Sequence, residues 1–205
     1  MFFKVHMHMS IGTYILSFTG VSLAISESIK IAEVYLNLRD WNAVKAKVKG
    51  ENLIQARTQS SIQRVYQELQ PRLEQLSLEQ LELLVEGNPQ EQKQLLWFAI
   101  CKRYEYIEEF SREVVREKYL KLDFQIDEFD YDAFYNRKAD WHPELDKLTD
   151  TSRQKMKTRI FHMLLEAELI TPDNHLIPVT LSQRIKDVLI SDAPMSYQIY
   201  PISAF

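Results

Sequence analysis

The chain has 205 residues, of which 45% are hydrophobic and 26% are charged, and its formal net charge is −4 at pH 7. This composition can fill the core of one domain or two small ones, so disorder over most of the length is excluded. The negative sum excludes a uniformly basic nucleic-acid coat, and a single cysteine excludes an intramolecular disulfide. We expect that cysteine, Cys101, to be a buried and unreactive thiol.

An apolar stretch near the N-terminus, MSIGTYILSFTGVSLAIS at residues 9–26, resembles a signal-peptide core. Ser17, Thr19 and Ser22 interrupt it, and it is shorter than the ~20 apolar residues that a membrane-spanning helix needs. We therefore interpret it as the buried start of a soluble domain, with no membrane association.

Apolar residues then recur at helical spacing as far as residue 122. The predicted inward-facing residues are Ile25, Ile29, Ala32 and Leu36, then Trp41, Val44 and Val48, then Ile62, Val65, Leu69, Leu73 and Leu76. Gly50 is placed to end the second of these helices, and Pro71 should kink or divide the third. Together these segments predict an up-and-down helical bundle.

Two helix starts in this region have strong capping signals. Ser77 is followed three positions later by Gln80, the spacing of a capping box. Asn88 precedes Pro89, which suits the first helical position, and Glu91 completes a second box. The helix from Pro89 is predicted to run to about Phe110.

The character of the chain changes near residues 122 to 126, which predicts two domains, residues 1–122 and residues 123–205. The second begins with an acidic, aromatic segment in which Phe129, Phe134, Tyr135 and Trp141 are the expected core anchors. A strongly amphipathic helix follows, and its predicted buried stripe is Met156, Ile160, Met163, Leu164 and Ala167.

Beyond this helix, the segments ELI and HLIPV flank the turn TPDN, which predicts a short β-hairpin before a helix that starts near Ser182. This order is typical of a winged helix. One residue departs from that pattern, because Glu168 stands where a glycine usually ends the helix before the wing. The apolar C-terminal SYQIYPISAF is expected to pack back onto the domain.

Positive charge is concentrated in two blocks. Residues 1–72 carry nine Lys or Arg against five Asp or Glu, and residues 151–164 carry four against none, whereas residues 121–150 carry four against nine. On a helical wheel, Lys155 and Arg159 lie on one flank of the C-terminal helix stripe, and Arg153 and Lys157 lie on the other. We predict that all four contact a DNA backbone, although long basic side chains also border buried stripes for structural reasons.

The N-terminal block contains the second candidate DNA-binding surface, a short basic helix followed by small polar residues at a helix start. Its predicted contact residues are Lys45, Lys47, Lys49, Arg57, Ser60 and Arg64. Ser and Thr also cap helices without any ligand, so the sequence does not decide between DNA contact and helix capping for these residues.

No motif indicates catalysis or a cofactor. Asp127, Glu128, Asp130 and Asp132 form an acidic cluster, but they lack the Gly turn and the terminal Glu of a calcium loop. His142 has no second histidine one helical turn away. We expect no metal, no cofactor and no enzymatic activity.

Several segments resemble the BrxA family of BREX bacteriophage-defence systems over roughly residues 10–190, which leaves Met1–Met9 outside. They are SESIKIAEVYLNLRDWNAVKAKV, ENLIQARTQSSIQRV, LEQLELLVEG, QEQKQLLWFAICKRYEYIEEFSREVVREKYL and FYNRKADWHPELDKLTDTSRQKMKTRIFHMLLEAELI. The resemblance implies an all-α cytoplasmic protein of two helical bundles, similar to the transcription antiterminator NusB. It also implies binding to double-stranded DNA, with other BREX proteins as further partners. The DNA-contacting residues named above come from charge and spacing, since the family supplies no catalytic or binding motif.

The competing hypothesis is a protein-interaction scaffold of the defence complex that does not touch DNA. The acidic middle of the chain would dock a basic partner, and Tyr104 and Tyr106 would anchor the interface if they were exposed. Packing between helices is the simpler interpretation of both tyrosines.

Overall fold

Helices make up most of the structure, a computed structural model that describes residues 12–202. The N-terminal region contains α1 (Ile25–Leu38), α2 (Trp41–Gly50), α3 (Gln59–Leu73), α4 (Leu78–Glu86), α5 (Pro89–Arg103) and α6 (Glu105–Phe110). A π-helical segment, Ser111–Arg116, leads into α7 (Glu117–Leu120), and then come α8 (Glu128–Ala139), α9 (Pro143–Asp146) and α10 (Asp150–Glu166). The remaining elements are α11 (Gln183–Leu189), a 3-10 turn (Ile190–Asp192) and α12 (Met195–Gln198). The predicted all-α class is confirmed.

Both predicted capping boxes are present. The Ser77 side chain accepts the N–H of Gln80, whose own side chain accepts the N–H of Ser77. Asn88 and Glu91 make the same reciprocal pair, with Pro89 in the first helical position. Local chemistry alone therefore fixes where α4 and α5 begin, because these side chains satisfy amides that have no partner inside the helix.

The helix predicted to run unbroken from Pro89 to Phe110 is divided at Tyr104, so that prediction was wrong. Tyr104 has an extended backbone with φ −123° and ψ 92°. Its ring is buried edge-on against Phe18, 5.5 Å between centroids, and its hydroxyl donates to the Ser17 carbonyl at 3.4 Å. The break between α5 and α6 thus coincides with tertiary contacts to the N-terminal segment, which the local sequence does not predict.

Smaller differences concern the first three helices. In α1 the buried face is Ser28, Ile31 and Ala32, and the predicted residues Ile25, Ile29 and Leu36 are only half-buried. Gly50 is the last helical residue of α2 and does not adopt a left-handed conformation. The third helix continues through Pro71 to Leu73 without being divided.

Part of the N-terminal apolar stretch is buried without forming a helix before α1, as expected for the buried start of a domain, although Ile15 is 40% exposed. Tyr14, Phe18 and Leu23 are each at most 5% exposed. The N–H of Val21 donates to Glu68 of α3 at 3.0 Å, and that of Leu23 donates to Glu166 of α10 at 2.7 Å. Residues 17–23 therefore tie α3 to α10. Every helix within residues 12–202 is too short or too polar to cross a bilayer.

The predicted stripe of α10 is correct in full. All five apolar residues, Met156, Ile160, Met163, Leu164 and Ala167, are buried. Helical spacing identified them because α10 packs a single stripe against the core.

The predicted β-hairpin after α10 does not form, and no winged helix is supported. Between residues 12 and 202 the only β pairing consists of two isolated bridges, Ile170 with Leu176 and Gln125 with His175. The N–H of Thr171 donates to the His175 carbonyl at 2.8 Å and that of Ile177 to the Leu169 carbonyl at 2.9 Å, whereas the N–H of Leu176 donates to the Phe124 carbonyl at 2.7 Å and so joins this segment to the loop before α8. Glu168 does adopt the left-handed conformation, with φ 56°, that usually favours glycine. The structure also offers no support for similarity to NusB.

One hydrophobic cluster contains residues from both sides of the boundary predicted near residues 122 to 126. The Trp97 indole donates to the Ile199 carbonyl at 3.1 Å, and the Tyr200 hydroxyl donates to the Gln94 carbonyl at 2.8 Å. The C-terminal segment therefore packs back onto the helices as predicted, as far as Ile202. The division into residues 1–122 and 123–205 stays a prediction.

The aromatic side chains differ from expectation in two places. Phe134 and Tyr135 are buried as predicted, whereas Phe129 is 83% exposed and Trp141 is 68% exposed. Tyr104 and Tyr106 are buried, which excludes them as surface anchors and confirms their interpretation as packing residues.

Candidate nucleic-acid interface

The basic residues of α2 occupy its outer faces. Val44 and Val48 bury one side of the helix, which leaves Lys47 exposed and Lys45 and Lys49 half-buried. Two of these lysines lie in the last turn, where positive charge complements the helix dipole. The amphipathic pattern of α2 thus places all three ammonium groups within reach of solvent.

The connection from α2 to α3 is held by side-chain hydrogen bonds to the backbone. Asn52, which has a left-handed backbone with φ 47°, exchanges two hydrogen bonds of 3.0 Å with the backbone of Ala56. Thr58 caps α3 by accepting the N–H of Ser61 at 3.1 Å. Gln59 donates to the Lys49 carbonyl at 3.4 Å, so the end of α2 lies against the start of α3. Arg57, exposed between them, is therefore held on a defined turn.

A polar face of α3 continues from this turn. Ser60, Arg64 and Gln67 are all exposed and lie at successive turns of one helix face. The first turn of α3 contains no acidic residue, so the positive end of its dipole is not neutralised by its own side chains. This surface suits an extended anion.

The predicted N-terminal cations share one electrostatic property: none of them makes an ion pair with any residue in the described part of the chain. They are Lys45, Lys47, Lys49, Arg57 and Arg64. Their charge is therefore available to an external ligand. We define these five residues together with Ser60 as the α2–α3 basic surface.

Two of the predicted cations of α10 form ion pairs with residues of α8. Arg153 lies 3.1 Å from Asp132 of α8, and its guanidinium lies 4.3 Å from the centre of the Tyr135 ring. Lys157 is buried, 2.7 Å from Glu128 and 3.4 Å from Asp132. Burial alone would lower the pKa of Lys157, but the hydrogen bond from its ammonium to Glu128 and the two nearby carboxylates raise it. This flank of α10 holds α8 in place, and its charge is compensated locally.

The cations on the other flank of α10 are more accessible to an external ligand. Lys155 is exposed and has no ion-pair partner among residues 12–202. Arg159 is half-buried, and its Nε donates to the Thr19 carbonyl at 3.1 Å. The separation of the four cations into two flanks follows the helical wheel, but only the contacts show which flank is compensated.

The two basic blocks approach each other around Glu68 of α3. Arg159 lines a groove of about 570 Å³ together with Val65, and Arg64 lines a second cleft together with Glu68. Burial raises the pKa of Glu68, and the charges of Arg72 and Arg159 only partly counteract this shift. Residues more than ninety positions apart in sequence therefore border one region of the surface.

Arg103, the last residue of α5, was missed by the sequence analysis. It lines the same cleft as Arg64. Its only signal in the sequence is the basic pair Lys102 and Arg103, which directly follows the apolar run LLWFAIC.

The acidic run of α8 has structural roles. Asp127 and Asp130 form a capping box, Asp130 binds Lys118, and Glu128 and Asp132 bind Lys157.

His142 stacks on Tyr14 at 3.8 Å and lies 3.1 Å from Glu144. Across residues 12–202 no group of three or more His, Cys, Asp or Glu side chains is arranged to hold a metal ion. Cys101 is buried beside Ser111, and burial raises the pKa of its thiol.

Comparison with known proteins identifies the family. The model of the BrxA family matches residues 12–192. The chain belongs to the BrxA family. A relative from Escherichia coli O9:H4 (strain HS), named BREX protein BrxA, is 28% identical over 148 residues, which is 72% of this chain and 70% of the relative. The BrxA family match thus covers both basic blocks.

The fold of this BrxA-family chain is also found in a solved structure. The crystal structure of an uncharacterized protein from Magnetospirillum magneticum superposes with a TM-score of 0.81 and is 20% identical. The similarity covers 93% of this chain and 100% of the other. At this level of identity the comparison concerns the fold alone.

Proposed function

We propose that this protein is a non-enzymatic, cytoplasmic, double-stranded DNA-binding component of a BREX phage-defence system. The defence assignment is supported by membership of the BrxA family and by the name of the E. coli relative. In the proposal, other BREX proteins are further partners, and contact with DNA is mainly to the phosphate backbone.

The observation that carries DNA binding is the α2–α3 basic surface. Its five cations have no ion-pair partner between residues 12 and 202 and follow each other along α2, the turn and the exposed face of α3. A folded protein with net charge −4 compensates many of its cations internally, as it does for Arg153 and Lys157. Uncompensated cations on adjoining elements suit an extended polyanion such as the backbone of a duplex.

Lys155 and Arg159 form the second contact in this proposal. They lie on the uncompensated flank of α10, and Arg159 borders the groove that also includes Val65 of α3. We propose that Arg153 and Lys157 hold α10 against α8 and do not contact DNA, because their charge is compensated by Glu128 and Asp132. A DNA backbone that follows α3 would pass close to Arg159.

The salt dependence of duplex binding tests the proposal. With at least five neutralised phosphates, one for each cation of the α2–α3 basic surface, affinity should fall by at least several hundred-fold between 50 and 200 mM salt, on the order given by counterion release. Fluorescence anisotropy with a labelled duplex measures this directly. Absence of binding at low salt would refute the DNA-binding function.

Paired charge reversals locate the contact. Arg57→Glu with Arg64→Glu should weaken binding most, and Lys155→Glu with Arg159→Glu should weaken it less, because Arg159 is partly engaged by Thr19. Lys121→Glu with Lys147→Glu is a matched control with the same change in net charge at exposed positions elsewhere. If all three double variants lose affinity equally, net charge rather than these surfaces governs binding.

A second candidate function, a scaffold of the defence complex that does not contact DNA, is favoured by one observation. Phe129, on the acidic helix α8, is 83% exposed, and Trp141, just after this helix, is 68% exposed. Exposed aromatic residues are typical of protein interfaces. Retention of partner binding by a Phe129→Ser, Trp141→Ser variant would argue against this surface.

A further inference from the structure

The cleft that Arg64 and Arg103 share has the properties of a phosphate-binding site. It lies where α3, the end of α5 and the N-terminal segment meet, and its volume is about 210 Å³. This is several times the roughly 30 Å³ that one water molecule occupies in the liquid. A tetrahedral group with four oxygens therefore fits.

Its two arginines have unused hydrogen-bonding capacity. Neither Arg64 nor Arg103 forms an ion pair with any described residue, and the Nε of Arg103 is buried without a hydrogen-bond partner there. A buried, unpaired donor of a charged group costs free energy that a ligand oxygen would recover. The guanidinium group presents its N–H donors in a planar fork that matches phosphate oxygens.

The surroundings of Arg103 hold it in place. Its guanidinium lies 6.0 Å from the centre of the buried Tyr104 ring, and Arg72 lies 5.5 Å from the same ring. Arg72 also has a buried Nε without a hydrogen-bond partner, but its two terminal nitrogens are engaged on the inner side, where Nη2 binds Glu68 at 2.6 Å and the Val21 carbonyl at 2.9 Å and Nη1 donates to the Ser22 carbonyl at 2.5 Å. Of the two arginines beside Tyr104, Arg103 is the one left to meet a ligand.

The carboxylate that lines the cleft does not cancel this charge. Glu68 is already paired with Arg72 and accepts the Val21 N–H at 3.0 Å. Polar neighbours that also line the cleft, Ser17 and Gln67, are neutral. A cation in the last turn of α5 also stabilises that helix, but helix stability does not explain why Arg103 shares a cleft with the unpaired Arg64.

We infer that Arg64 and Arg103 jointly bind a single phosphate group, which in the DNA complex is one phosphate of the duplex backbone. The inference rests on the proposed function for its biological ligand, and it adds Arg103, from the end of α5, to the α2–α3 basic surface. Phosphate chemistry is shared by free inorganic phosphate, so the two sources are tested separately.

The DNA test uses the salt dependence of duplex affinity. The double variant Arg64→Gln, Arg103→Gln should reduce the slope of log affinity against log salt by about 0.9, the value for one phosphate. Each single variant should reduce the slope by no more than that, because the remaining arginine still contacts the same phosphate. A loss of about 1.8 in the double variant would mean two separate phosphates and would overturn the inference.

Two controls separate charge from geometry and folding. Arg103→Lys keeps the charge, so it should retain the slope while lowering affinity, because lysine lacks the planar fork. Arg39→Gln removes an exposed arginine that is paired with Glu82 and should leave the slope unchanged. Circular dichroism and urea unfolding show that each variant is folded before binding is compared.

The second arm needs no DNA. Inorganic phosphate, titrated at constant ionic strength against chloride, should shift the side-chain Nε resonances of Arg64 and Arg103 in NMR spectra of the full chain, and Arg103→Gln should abolish the shift of Arg64. If phosphate shifts both resonances but the protein binds no duplex, the site stands and the DNA-binding function fails. If the protein binds duplex, yet the double variant leaves the slope unchanged and phosphate moves neither resonance, the inference is wrong.

Discussion

The α2–α3 basic surface and the basic run of α10 have similar sequences but different electrostatics. The first has lysines at alternate positions and arginines beside small polar residues, and its five cations lack ion-pair partners within residues 12–202. In α10, Arg153 and Lys157 are paired with Glu128 and Asp132 from a helix more than twenty positions earlier in the chain. The density of positive charge in a sequence thus does not measure the charge available to a ligand, because distant carboxylates consume part of it.

This difference also divides structural from ligand-binding roles. A buried, paired lysine costs stability when it is changed, whereas an exposed, unpaired lysine costs almost none. The four predictions that follow use this contrast, beginning with the largest effect.

Lys157→Glu should reduce the free energy of unfolding by roughly 3 kcal/mol, because it places a buried carboxylate against Glu128 and Asp132. Urea unfolding followed by circular dichroism measures the change. The matched control is Lys155→Glu, two positions away and exposed, which should alter stability by less than about 0.5 kcal/mol. Equal losses at both positions would contradict the division of α10 into two flanks.

The second-largest effect is expected from acid, which should destabilise the regions of the fold that are held by ion pairs. Burial alone would raise the pKa values of Glu113 and Asp192, but hydrogen bonds from Lys138 and Lys102, respectively, bring both pKa values below their ordinary values of 4.5 and 3.8. The Ser182 hydroxyl lowers the pKa of Glu91 in the same direction. Carboxyls with lowered pKa values stabilise the protein above their unfolded-state pKa, so this stabilisation is lost as pH falls below about 4.5.

Urea midpoints measured from pH 7 down to pH 3 check this expectation. The Asp192→Asn variant should start less stable at pH 7 and lose less between pH 5 and pH 3 than the unchanged protein. A stability that stays constant down to pH 3 would show that these ion pairs contribute nothing.

The two threonine caps offer a matched pair. Thr58 caps α3 at 3.1 Å and Thr149 caps α10 at 3.2 Å, each through the N–H three residues on. Thr58→Ala and Thr149→Ala should each lower stability by about 1 kcal/mol. Thr58→Ala should also weaken duplex binding more than Thr149→Ala does, since it loosens the turn that holds Arg57 and Ser60. Equal weakening by both would mean that α10 contributes as much to DNA binding as the α2–α3 basic surface.

The smallest effect is expected when α10 is released from α8. Glu128→Gln with Asp132→Asn should tighten duplex binding by roughly two- to fivefold at low salt, because the charges of Arg153 and Lys157 are no longer compensated and two repulsive carboxylates are removed. Anisotropy titrations at low and high salt measure the gain. The control, Glu79→Gln with Glu82→Gln on α4, changes net charge equally, and a matching gain there would reduce the effect to net charge alone.

Features with short-range causes could be predicted from sequence. The capping boxes at Ser77 and Asn88, the helix start at Ser182 and the buried stripe of α10 depend on residues within a few turns of each other. The predicted hairpin depends on contacts outside its own segment, since the N–H of Leu176 donates to the Phe124 carbonyl and the Asn174 carbonyl accepts the N–H of Ile126, about fifty positions earlier in the chain. Tyr104 likewise ends α5 in contact with Phe18 and Ser17, more than eighty positions earlier.

For the candidate site, the amino-acid sequence by itself determined which residues carry positive charge, the helical phase that separates Lys155 and Arg159 from Arg153 and Lys157, and membership of the BrxA family. The tertiary structure alone decided that Arg153 and Lys157 are compensated, that Arg64 and Arg103 share a cleft, and that Arg159 approaches α3. The physical reason is range: helix capping and amphipathic spacing act within one element, whereas the pairing or freedom of a cation depends on which distant helix packs beside it.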